Sequence, residues 1–433
     1  MFEKYDAYKD SGLESFPEIP KNWQLKKLKF LLDEVNIRSE TGDETLLSLS
    51  KYKGVIPKDS LDERAGSAST LVGYKKVFKD NLVINKMQAV NGLLAVSELE
   101  GITSPDYSVY SAKDSSVNIH YIAFLLNQPE YLAEMKKRVT GVMEGFIRLY
   151  TDDLYDIKAI LPSIKEQNCI VDFLQKKLVE IDQAIAIKEQ QIALLNERKQ
   201  IVIQKAVTQG LEPNVPMKDS GVEWIGQIPE HWEIKKLKFV CQSQGRIGFK
   251  GYSSDDLVEQ NEGALTLGAT HLNWNGDIIL DQPVYLSWKK YYESPEIMVK
   301  KDDILIVQRG STCGKVAIVD KDYGEVTINP SLVLLKEFRE NPYFCVEGIK
   351  VVLNGILNEV SKTAIPMISQ FQINNIQIAL PPLEEQLLIV KKVQEVTAQY
   401  AEINKFILDE INKLKEYKTT LINDAVTGKI KVA

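Results

Sequence analysis

The chain repeats itself. Lys9–Phe30 reads KDSGLESFPEIPKNWQLKKLKF and Lys218–Phe239 reads KDSGVEWIGQIPEHWEIKKLKF, identical at 13 of 22 positions. Each copy also ends alike: LPSIKEQNCIV from Leu161 answers LPPLEEQLLIV from Leu380, and AVTQGL from Ala206 answers AVTGKI from Ala425. Repetition on this scale constrains the fold more than any local pattern, because what one copy forms the other must form too. The 433 residues, 44% of them hydrophobic, suffice for more than one buried core.

The two closing echoes share one offset, so Ile164–Val207 and Leu383–Val426 align without a gap, and neither run contains Pro or Gly. Pro162 and Pro381 suit a helix start, while Gly210 and Gly428 suit a helix end. The pattern predicts one helix of about 66 Å per copy at 1.5 Å per residue. Apolar residues recur at alternating four and three spacing: Ile181, Ile185, Ile192, Leu195 and Val202 in the first, and Tyr400, Ile407, Ile411, Leu414 and Leu421 in the second. Lys188 and Lys199 interrupt one series, Asn404 and Lys418 the other. This is a coiled-coil seam, and two such seams in one chain most simply bury each other.

Between the shared ends the copies diverge, yet NLVINKMQAVNGLLAV from Asn81 parallels DDILIVQRGSTCGKVAIV from Asp302 as strand, glycine turn and strand. Short β-branched runs broken by Gly and Asn predict a mixed, strand-rich domain. The fold class is therefore α+β, with domains at 1–160 and 211–379 and long helices at 161–210 and 380–433. The chain has no membrane-length apolar run, and MFEKYDAYKD lacks the order of a signal peptide, so a cytoplasmic protein is expected. Cys169, Cys241, Cys313 and Cys345 form no CxxC pair and read as ordinary thiols.

Catalytic patterns fail on inspection. GSTCGK at Gly310–Lys315 is one residue short of a phosphate loop, with Val316 where a magnesium-binding hydroxyl belongs; a hairpin turn is the better reading. Gly245, Gly248 and Gly251 lack dinucleotide-loop spacing. Asn341-Pro342-Tyr343-Phe344 lacks the second proline of an adenine methyltransferase loop and, with Gln128-Pro129-Glu130-Tyr131 as its echo, reads as a helix start. Pro105-Asp106 with Glu134-Met135-Lys136 has nuclease residue types, but Glu134 falls in a predicted helix. His120, His231 and His271 are too scattered for a metal cluster. No catalytic or metal site is assigned.

What remains is a set of basic, amide, hydroxyl and aromatic residues at turns and strand ends. The first copy offers Lys51, Lys53, Tyr74, Lys75, Lys76, Lys86, Gln88 and Asn91. The second offers Arg246, Lys250, His271, Asn273, Gln308, Arg309, Ser311, Thr312 and Lys315. Arg and Lys can bridge guanine, Gln and Asn can bridge adenine, and Ser or Thr can hold phosphate. The net charge of −7 requires such a DNA face to be local.

The openings of the SGxExxGxIPxxWxxxxL type, the GITSPDY segment and the PxxxEQxxI start of each long helix together resemble the specificity subunits of type I restriction-modification systems. Gly221, Glu223, Trp224, Ile225, Gly226, Ile228, Pro229 and Trp232 match the opening fully, whereas the first copy has Ser15 and Pro17 in place of Trp224 and Gly226. The resemblance covers nearly the whole chain. It implies two target recognition domains that each read half of a split double-stranded DNA sequence, spaced by an antiparallel pair of helices. It also implies partners: methylation subunits, two in number, and restriction motor subunits. S-adenosylmethionine, ATP and magnesium would sit on those partners and no cofactor on this chain, a non-catalytic recognition subunit.

Overall fold

In a computed structural model, which describes residues 2–51, 53–60, 70–139, 147–246, 251–360 and 367–432, the shared motifs turn out to be a clamp. The opening motif supplies a buried tryptophan, and the EQ pair at the start of the long helix holds it. Trp23 donates its indole N–H to Glu166 and Trp232 to Glu385, each at 3.1 Å. The neighbouring glutamines are fully buried. Gln167 accepts from the Asn118 N–H and Gln386 from the Asn341 N–H, while their amides return to the Pro162 and Pro381 carbonyls. Identical residues are thus kept where each copy ties its two ends together. The departure at Ser15 and Pro17 leaves this intact, since Ser11 N–H still bonds the Pro17 carbonyl as Ser220 N–H bonds that of Gly226.

The chain divides into two compact units, Met1–Glu189 with Leu408–Ala433, and Gln190–Ile407. In the first, a four-stranded antiparallel sheet runs in the order Leu32–Glu34, Tyr107–Ala112, Leu82–Asn85, Leu94–Val96. In the second, the corresponding order is Gln242–Gly245, Leu332–Lys336, Ile304–Val307, Val316–Ile318. Side chains alternate between faces. Ile304 and Ile306 enter one core of the second unit, and Leu305 and Val307 enter the other. Leu82 and Ile84 divide from Val83 in the same way in the first unit. The second unit adds a sheet of Leu257–Val258, Tyr285–Ser287, Gly263–Leu267 and Val326–Ile328, the last two parallel.

The long helices are Ile164–Gln209 and Leu383–Val426. Each contributes to both units. In the first unit the start of the first helix runs antiparallel to the end of the second: Asp182 pairs with Lys418 and Lys188 with Glu410, both at 2.7 Å. In the second unit Asn404 donates to Asn196 at 2.8 Å in the same sense. Three of the residues that interrupt the apolar series are therefore cross-helix partners. Ile181, Ile407, Ile411 and Leu421 are buried, while Ile185, Ile192, Leu195, Val202, Tyr400 and Leu414 are half-buried. Gly210 and Gly428 stop the helices at φ +77° and +76°, and a Cβ on Gly428 would stand 2.5 Å from Pro20. Among the described residues no helix is long and apolar enough to cross a membrane.

Candidate nucleic-acid interface

The turn between the last two strands of the four-stranded sheet falls at the same place in both units. In the second it is Gln308–Lys315, closed by the Gly314 N–H on the Val307 carbonyl at 2.8 Å and the Val307 N–H on the Lys315 carbonyl at 2.9 Å. It is a hairpin turn, as the sequence suggests. Arg309 and Ser311 are exposed at its tip, with Thr312 and Gln308 half-buried. The Gln308 amide is bound to the Pro330 carbonyl at 2.8 Å, and the Lys315 ammonium to the Leu272 carbonyl at 2.7 Å. Asn273 is locked to Asp277 through both side-chain atoms. In the first unit the equivalent turn carries Lys86, half-buried, and Gln88 and Asn91, both exposed and bonded to each other at 2.6 Å. Burial, followed by repulsion from Lys75, lowers the Lys86 pKa from the usual lysine value. Lys51 and Lys53 stand exposed on the hairpin turn between Leu47–Ser50 and Gly54–Pro57. Tyr74 is half-buried, and Lys76 pairs with Glu44 at 3.2 Å.

Three expected contact residues are structural instead. Lys75 is only 3% exposed and pairs with Glu34 at 3.2 Å. Arg246 is buried against Tyr252, its guanidinium donating to the Ile328 carbonyl and the Thr327 hydroxyl. His271 is buried with Nδ1 accepting from the Gly268 N–H at 2.9 Å and Nε2 facing the Gln282 carbonyl at 3.0 Å, so both ring nitrogens are engaged. Buried polar groups need such partners, and these three side chains are taken up inside the fold. Lys250 and Gly248 lie outside the described residues.

The rejected catalytic patterns also resolve. Asp106 pairs with Arg148, and Glu134 with Arg138 and Lys137 on its own helix. Asn341 caps the helix Pro342–Val360 by accepting from the Tyr343 and Phe344 N–H groups. Its counterpart in the first copy is Asn118, which caps Ile119–Leu126 identically, and not Gln128. His120 is less isolated than its sequence position suggests, since its ring lies 3.5 Å from Asp80, with Glu98 near both. The second copy places Tyr343 on Asp302 at 2.8 Å in the same position, so the pair tethers the turn before the strand to the helix.

The residues sequence reasoning missed are Arg148, beside Asp106, and the exposed aromatics Trp274 and Phe371. The signal for Trp274 is an indole inside the polar turn Asn273–Asp277.

Residues 229–413 match the type I restriction modification DNA specificity domain. The MjaVIII specificity subunit of a type I restriction enzyme from Methanocaldococcus jannaschii is 27% identical over 77% of this chain and 75% of its own length. The MjaX specificity subunit from the same organism is 23% identical over 100% and 98%. A structure from work on complex assembly and conformational transition of the type I restriction-modification system aligns over 95% of this chain and 99% of its own, with TM-score 0.68 and 15% identity. The HsdS subunit of Thermoanaerobacter tengcongensis aligns over 95% and 98%, with TM-score 0.52 and 15% identity. The duplicated sheet and the paired long helices accord with these matches: the chain is similar to type I restriction-modification specificity subunits, and its residues 229–413 match the DNA specificity domain.

Proposed function

We propose that this chain reads a two-part DNA sequence, one part per unit, and carries the enzymes that act on it. As a specificity subunit it confers DNA sequence specificity and is a non-catalytic component. The observation that carries the bipartite reading is the recurrence of one turn, Lys86–Leu93 and Gln308–Lys315, in one sheet order with different side chains. Equal frames with unequal tips are what two half-sites of different sequence require. The helices, common to both copies, set the spacing between the half-sites.

Partner docking is supported by a second apolar stripe on the first long helix and by exposed apolar side chains on the second. Ile187, Leu194 and Ile201 recur every seven residues and stay exposed on the first, and Ile403, Phe406 and Leu408 are exposed on the second. In the second unit an open apolar groove of about 350 Å³, lined by Val207, Phe344, Ile389, Val393 and Ala401 among others, adds a place for a partner side chain. Helices with two apolar faces use one internally and offer the other. Two methylation subunits would take this surface, bringing S-adenosylmethionine, and restriction subunits would bring ATP and magnesium, all in the cytoplasm.

Genome-wide mapping of methylated adenines in a host carrying the full system tests the reading. It should reveal one split motif that disappears when this chain is deleted and changes in one half only when the Gln308–Lys315 turn is replaced. A motif indifferent to this chain refutes the proposal.

A further inference from the structure

Of the five tryptophans Trp274 is the most exposed, at 62% against 39% for Trp288. Trp23 and Trp232 are buried in the clamps, Trp224 lies against Gly355, and Trp288 is flanked by Tyr291 and Tyr292. The turn that carries Trp274 is nevertheless held firmly. Leu272 and Ile278 pair as a bridge, the Asp277 N–H bonds Asn273 Oδ1 at 2.9 Å, Asn273 Nδ2 bonds Asp277 at 2.8 Å, and Gly276 takes the φ of +90° that closing the turn requires. A rigid turn that keeps a large apolar ring in water forgoes the burial an indole normally gains.

A cation borders the ring. The Lys315 ammonium lies 5.8 Å from the indole centroid while anchored to the Leu272 carbonyl. Lys315 also ends the Gln308–Lys315 turn, so the ring and the reading turn share a residue. The Lys350 ammonium, near Gly276 of the same turn, is already paired with Glu347 at 2.7 Å, which leaves Lys315 as the cation placed against the ring. A flat apolar face with an ammonium at its border complements a ligand with a flat apolar face bordered by negative charge. A base step and its phosphates have that character, and an apolar protein surface does not.

The geometry points to Trp274 as a wedge that inserts its indole against a base step of the half-site read by the second unit. This rests on the DNA-reading assignment above and adds that the DNA is locally unstacked there. Arg309 and its neighbours would read base edges while Trp274 opens the step beside them.

The test uses the chain assembled with its methylation subunits and duplexes carrying the mapped motif, with 2-aminopurine placed in turn along both half-sites. The wild type should brighten the probe at one step in one half-site. Trp274→Ala should abolish the brightening and weaken binding roughly 5- to 150-fold, the range expected for one base–aromatic contact. The slope of log affinity on log salt should not change, because no charge is lost, whereas Lys315→Ala should make it shallower by about 0.9. Trp274→Phe should keep most of both signals and, with an unchanged melting temperature, serve as the folding control. Wild-type affinity in Trp274→Ala, or weakened binding without brightening in the wild type, overturns the wedge while leaving DNA recognition standing. Failure of the wild-type assembly to prefer the motif overturns the DNA reading and the wedge with it.

Discussion

Ile411 and Leu408 lie three residues apart on the second long helix and in the same unit, yet they face different surroundings. Ile411 is 3% exposed and Leu408 is 50% exposed. The seam assignment therefore makes a prediction with its own control. Truncating a buried Ile to Ala costs about 2–5 kcal/mol, from lost transfer energy plus the cavity left behind. A half-exposed Leu lacks most of that packing, and its truncation should cost about 1 kcal/mol or less. For a unit of this size each kcal/mol shifts the melting temperature by roughly 2–4 °C. Taking about 3 kcal/mol, Ile411→Ala should melt about 6–12 °C lower, while Leu408→Ala should move by no more than about 2–4 °C. Differential scanning calorimetry of the purified chain measures both. The partner-docking reading adds the reverse order for assembly: Leu408→Ala should weaken co-purification with the methylation subunit more than Ile411→Ala does. Equal melting shifts, or an unmoved transition in Ile411→Ala, would refute the assignment of the two faces.

Arg309→Ala should weaken binding to the mapped motif by about 1–3 kcal/mol and leave random DNA nearly unaffected if the guanidinium reads a base; equal loss on both, measured by filter binding, would assign it to phosphate. Inserting four residues after Leu195 lengthens that helix by about 6 Å, and methylation mapping should then show the same half-sites with a wider gap. Burial pushes the Asp303 carboxyl up to about 6, and its counterpart Asn81 makes the equivalent backbone bond without a charge. A raised carboxyl pKa favours the neutral folded form, so stability is present at low pH and lost as pH rises from the ordinary value of 3.8 through about 6. Asp303→Asn should accordingly melt higher than wild type above pH 6, with the difference vanishing below about pH 4; a pH-independent difference would contradict this.

What could be read from the sequence tracks how far each feature depends on neighbours along the chain. The long helices emerge within two residues of their expected ends, because capping, the absence of Pro and Gly, and apolar period are all local. That Asn118 corresponds to Asn341 is not legible along the chain, since it rests on Gln167 and Gln386 reaching back from the helix starts. Lys75, Arg246 and His271 looked like surface chemistry for the same reason. Their fates are decided by Glu34, the Ile328 carbonyl and the Gly268 N–H, groups that only the folded divergent regions bring near. Asn404 and Lys418 read as flaws in a stripe until Asn196 and Asp182 supplied their partners.

The way each long helix is shared has a consequence for synthesis. Gln190–Ile407 is one continuous stretch, whereas the other unit is split and takes Leu421, Ala425 and Val426 into its core. A ribosome adding ~5–20 residues per second needs roughly 10–50 s to travel from Glu189 to the end of the chain. Throughout that interval the first-made unit lacks the piece that covers Tyr121, whose hydroxyl awaits the Val426 carbonyl. The usual order of domain folding is thus reversed: the later-made unit can close first. The nascent amino-terminal unit, with apolar surface such as Ile181 still uncovered, is the species a chaperone would meet.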